Sequence, residues 1–169
     1  MTEAITFEQA IALTQNLLTQ LEQLSEPEIQ AAIATLVSTE NGARGFFVTY
    51  LTDDRSFVDQ PTDAVIKALQ TSPFIVAELL VKNLAMSTGI AIAHRRNSNE
   101  AMARGSDRVQ RRTAELIQRV QLPEVAEKAA QLQASAETGV GEYQTFLERW
   151  GYDAEQRQQI AQVMGLICG

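Results

Sequence analysis

The stretch PFIVAELLVKNLAMSTGIAIA, Pro73 to Ala93, constrains the fold more than any other segment. Its length is near that of a bilayer-spanning helix, for which roughly 20 apolar residues are needed. Glu78, Lys82 and Asn83 interrupt it. A carboxylate and an ammonium at mid-helix each cost roughly 2.5–3.5 kcal/mol in lipid. In water the two are an i, i+4 pair on a single polar stripe. A helix apolar on its other sides must be wrapped by further helices. The stretch therefore predicts the buried centre of a helical bundle, with a membrane disfavoured as partner.

The rest of the chain supplies those further helices. From Thr6 to Leu24, residues Phe7, Ala10, Ile11, Leu13, Leu17, Leu18, Leu21 and Leu24 recur near the helical period. Ser25 then fits an N-cap and Glu28 the reciprocal position of a capping box, opening a helix with Ile29, Ile33, Leu36 and Val37 on one face. NGARGFFVTYL is rich in strand formers, yet no second run exists to pair with it, so a short helix is expected. Phe46, Phe47, Tyr50 and Phe57, interleaved with Arg44 and Arg55, are read as core rings rather than a base-stacking surface. TDDRSFVDQPTD is loop-like, with Pro61 as the first residue of a helix to about Gln70. Ser72-Pro73 is read as a cap followed by a first-turn proline. Asn97, Ser98 and Asn99 are weak helix formers; the chain either breaks or kinks there or continues as one long helix into the arginine segment, since no proline forbids it. Pro123 opens a helix to about Ala136, ETGVGEYQ turns the chain, and a short helix runs to Trp150. Gly151 fits its C′ position and Asp153 the N-cap of a last helix from Ala154 to about Ile167. The expectation is one all-α domain over residues 1–169, a bundle of about seven to nine helices around a long apolar one.

Composition bounds the chemistry. A single histidine and a single cysteine, Cys168, make neither a structural zinc site nor an internal disulfide. No Glu-x-x-His pair for a di-iron site and no Gly-x-Ser-x-Gly nucleophile turn occur. Asp53-Asp54 and Gly139-x-Gly141 read as turns. No metal and no catalytic residue is expected; the N-terminus MTEAITFEQA shows no leader pattern, and a cytoplasmic location is the expectation. His94, at the end of the apolar helix, is the candidate contact for a ligand in the bundle core. No cofactor is the main expectation; the alternative is a haem or a bilin near His94. In length and helical content the chain resembles globin-like and phycobiliprotein-like domains. It has no mid-chain chromophore cysteine and no second histidine, so no site residue is carried over from either.

Arg95 to Val120 concentrates positive charge in a chain of net charge −7. Seven arginines face three carboxylates, a local excess of four, which leaves eleven negative charges for the remainder. At about 100° per residue, Met102, Val109, Thr113, Leu116 and Val120 form an apolar seam, and Arg104, Arg108, Arg111, Arg112 and Arg119 share an arc away from it. Glu100–Arg104, Asp107–Arg111 and Glu115–Arg119 are spaced as i, i+4 pairs. Arg95, Arg96, Arg104, Arg108 and Arg112 are the candidate partner- or anion-binding residues. Nucleic acid is disfavoured by a pI near 4.8. An acidic protein surface or a second copy of the chain fits better, since one chain carries both signs. The expected function is a non-enzymatic interaction module, regulatory or assembly-related, that self-associates through this arginine face.

Overall fold

The computed structural model describes residues 4–168. Among them the chain forms nine α-helices and no strand: α1 Phe7–Thr19, α2 Glu26–Val37, α3 Glu40–Thr52, α4 Asp63–Gln70, α5 Pro73–Arg96, α6 Glu100–Val120, α7 Pro123–Thr138, α8 Gln144–Arg149 and α9 Ala154–Cys168. Two 3₁₀ turns, Leu21–Gln23 and Ser56–Asp59, sit in the connections. The apolar run is the central helix. Helix α5 packs against α3, α4, α6, α7 and α9, and Val76, Ala77, Leu80, Val81, Leu84 and Ala85 are buried in a core that draws on α1 to α9. It is a helix long and apolar enough to cross a membrane, yet 56% of its most apolar window is buried within the bundle.

Local chemistry sets the boundaries. Thr6 caps α1 through a reciprocal box with Gln9, at 3.1 and 2.9 Å, and Ser25 does the same for α2 with Glu28. Asp153 and Gln156 form a third such pair at the head of α9, 3.0 Å each way. These bonds satisfy amides that have no partner inside the helix. Pro73 takes the first turn of α5, where a missing N–H costs nothing. Ser98 at φ 57° ends α5 and lets α6 fold back along it. Gly151 is left-handed as expected.

Four expectations are corrected. The first helix ends at Thr19, and a 3₁₀ turn replaces its last turn. Pro61 lies two residues ahead of α4, whose N-cap position is Thr62. Ser72 occupies the cap of α5 but its side chain makes no capping bond. Met102 and Leu13, assigned to apolar seams, are 54% and 51% exposed. The aromatic segment is helix α3, and Phe46, Phe47 and Tyr50 are buried in the core with Phe57 packed against it. Burial of each ring stabilises the fold by roughly 1.5–3 kcal/mol.

The crossing of α1 and α3 depends on a glycine. A Cβ at Gly45 would lie 2.4 Å from Ala10 Cβ and 2.9 Å from Phe7 O, so only glycine lets the two helices approach this closely. That crossing brings Arg44 over the Phe7 ring, 5.0 Å from its centroid.

Candidate functional site

The arginine side of α6 faces the chain's own backbone. Arg112 is buried: Nε donates to Asp59 Oδ1 at 2.8 Å and the terminal nitrogens donate to the carbonyls of Leu51, Asp53 and Arg55 at 3.0, 2.5 and 3.5 Å. Arg108 holds Asp54 and Thr52 O, both at 3.2 Å, and Arg119 holds Pro61 O at 2.8 Å and Asp63 at 3.3 Å. Three arginines thus clamp the α3–α4 connection onto α6. Arg95 pairs with Asp107 at 2.6 Å and Glu100 at 3.3 Å across the α5–α6 corner. Arg96 ties the end of α5 to α9 through Asp153 and through Glu155 at 2.9 Å. Of the five candidate residues only Arg104 stands largely free, 76% exposed with Glu100 at 3.9 Å. The expectation of an open arc is corrected for three of its five arginines: the α3–α4 connection covers Arg108, Arg112 and Arg119, while Arg104 and Arg111 stay exposed. Two of the three i, i+4 pairs also give way. Asp107 turns to Arg95 and Arg119 to Asp63, because a tertiary partner outweighs the few tenths of a kcal/mol of a helical pair.

A different set of residues frames open space. A cleft of about 710 Å³ lies among α1, α3, α5, α7 and α8, within the range of small-molecule sites, roughly 300–1,000 Å³. Its floor is a polar cluster on the stripe of α5. Glu78 Oε1 lies 3.2 Å from Lys82 Nζ; Glu78 Oε2 accepts from Lys128 Nζ and from Tyr143 Oη, each at 2.8 Å. All four side chains are wholly or partly withdrawn from water. Burial pushes the Glu78 carboxyl up, and hydrogen bonds from Lys128, Tyr143 and Lys82 outweigh it, so the group stays below the ordinary carboxylate value and ionised at neutral pH. Burial first, then the adjacent carboxylate, drives the Tyr143 phenol well above its ordinary value, so it remains a donor. The turn before α8 fixes this tyrosine: its backbone N–H donates to Ser135 Oγ at 3.0 Å, while Gly139 and Gly141 adopt positive φ.

The cleft walls carry rings and cations. Phe146 lies beneath Lys82, with Nζ 5.6 Å from the ring centroid, and meets Tyr143 edge-on at 6.3 Å. Trp150, the chain's single tryptophan, is half exposed on the same wall. Arg44 and Arg149 stand at the rim. Four cations against three carboxylates (Glu40, Glu78, Glu142) make this lining net positive in a protein of charge −7.

The model of the family described as Uncharacterised conserved protein UCP020893 matches residues 6–167. The chain belongs to that family. No curated protein and no solved structure matches it. The matched span contains every residue of the cleft and of the arginine clamp.

His94, the other sequence-based candidate, is half-buried in the last turn of α5, roughly 24 Å along the helix axis from Glu78. It lines neither this cleft nor a second groove of about 490 Å³ between α7 and α9. Among the described residues, no three His, Cys, Asp or Glu side chains converge as a metal site. The spacing of Glu78 and Lys82 was the one sequence signal pointing into the cleft. Lys128 and Tyr143 join them from 50 and 65 residues away.

Proposed function

We propose that the protein is a ligand-binding protein whose site is the cleft beside Glu78, taking a small organic molecule with a flat apolar body. One observation carries this: a half-buried ionic cluster forms the floor of an open space whose walls are aromatic. Buried charge is retained at a cost to stability, and a few convergent polar groups within an apolar lining are the usual make-up of a ligand site. The arginine face supports a docking role less well, since Arg95, Arg96, Arg108 and Arg112 are engaged within the chain.

Trp150 reports on the cleft directly. Titration with the neutral fluorophore N-phenyl-1-naphthylamine is expected to quench its emission and sensitise the probe. Asn83→Phe, which fills the cleft from a half-buried lining position on α5, is expected to weaken that binding at least about tenfold while near-ultraviolet circular dichroism shows the fold kept. Saturable binding that Asn83→Phe leaves intact would overturn the reading.

A further inference from the structure

Resting on the cleft as a binding site, we infer that its ligand is an organic anion, a carboxylate or similar oxyanion on an aromatic or flat apolar body, with the charged group seated between Lys82 and Lys128. The argument is one of stoichiometry. Two ammonium groups share one carboxylate: Glu78 gives Oε1 to Lys82 and Oε2 to Lys128, and Oε2 also takes the Tyr143 hydroxyl. Each ammonium has three N–H donors, and Glu78 is the only ion-pair partner of either among the described residues. The floor is therefore left with one unbalanced positive charge and unused donors that face the cleft.

Partial burial makes that imbalance count. The Lys82 and Lys128 side chains are 34% and 24% exposed. A charge so placed is screened far less than one at an open surface, so an incoming anion gains more than it would beside an exposed lysine. Arg44 and Arg149 at the rim add to the attraction, and Glu40 and Glu142 subtract from it. With the anionic group on the floor, the apolar body would lie against Phe146 and Trp150, where ring contacts add to the charge pairing. A neutral ligand leaves the surplus donors unused, and a cation meets two ammonium groups.

The test compares two probes that share one aromatic body and differ by a sulfonate group, 8-anilinonaphthalene-1-sulfonate and the neutral N-phenyl-1-naphthylamine, each read by energy transfer from Trp150. Wild type is expected to bind the sulfonate roughly tenfold more tightly than the neutral probe, the size of one charge-assisted contact. Lys128→Met is expected to erase that preference by weakening sulfonate binding far more than neutral-probe binding. Glu78→Gln moves the floor the other way and is expected to raise sulfonate affinity several-fold. Arg104→Ala, outside the cleft, leaves both unchanged. Near-ultraviolet circular dichroism confirms that each variant is folded, and Lys82→Met replaces Glu78→Gln, with the opposite sign, if the latter is not. Equal affinity for the two probes, or a preference indifferent to Lys128→Met and Lys82→Met, overturns the anion assignment and leaves the cleft standing. Absence of transfer from Trp150 to either probe overturns both.

Discussion

The arginine clamp of α6 and the lysine floor of the cleft are built from similar parts and end differently. Both put cations from helices against partners about 50 to 60 residues away. In the clamp, acceptors outnumber cations: Arg112 has one carboxylate and three carbonyls, and Arg108 and Arg119 have one of each. In the floor, two ammonium groups share a single carboxylate next to open space. Most of the dense run of arginines is thus internal reinforcement, while two of the chain's three scattered lysines share one carboxylate beside the cleft. Acceptors per cation, not cations per segment, separate a strut from the proposed site.

The sharpest way to break this contrast is to cut the clamp. Arg112→Ala leaves buried carbonyls and Asp59 without a donor and is expected to cost roughly 2–4 kcal/mol in urea unfolding. Arg112→Lys is expected to recover less than half, since an ammonium cannot serve a fork of carbonyls.

Acid acts on both regions at once. Hydrogen bonds from Arg112, Arg95 and Arg96 hold Asp59, Asp107 and Asp153 below the usual carboxylate range, and Glu78 lies below it too. A folded pKa under the unfolded one adds stability above the unfolded value, roughly pH 4, and loses it as pH falls through the folded value. Thermal scans are expected to be flat from about pH 8 to 5 and to fall below about pH 4. Arg112→Ala is expected to show the shallower fall, because Asp59 then titrates near its ordinary value.

Tyr143→Phe removes one of three contacts to Glu78 and is expected to cost about 1 kcal/mol by urea unfolding. The smallest effect belongs to Arg104→Ala and Arg111→Ala, both exposed, each expected within about 0.5 kcal/mol of wild type. A loss above about 1 kcal/mol at either would show that the outward-facing arginines also act as struts.

The fold was legible because its signals are local. The boxes at Ser25-Glu28 and the cap at Asp153, the proline of α5 and the left-handed Gly151 all act within one turn of the chain. Pro61 misled because its carbonyl is spent on Arg119 rather than on a helix that it begins. The arginine arc was right in angle and wrong in environment. Its own angles hold the reason: Arg112, Arg119 and Arg108 lie roughly 60°, 80° and 100° from the centre of the seam, close enough to reach back, whereas Arg104 and Arg111 lie roughly 140° and 160° away. Burial follows the same division: Arg112 is enclosed, Arg119 and Arg108 are about one-third exposed, and Arg104 is free. The cleft was not legible beyond Glu78 and Lys82, since its other parts come from α1, α3, α7 and α8 and meet only when the bundle closes.

Residues 53–62 contain little regular structure of their own beyond the 3₁₀ turn Ser56–Asp59, yet three guanidinium groups from the far half of the sequence fasten this connection down. The arginine contacts of such a segment exist only once α6 has docked. Amide protons of Val58 and Gln60, bonded only to Arg55 O and Phe57 O at 3.3 and 3.1 Å, are therefore expected to exchange with solvent on the timescale of whole-bundle opening rather than that of a surface loop.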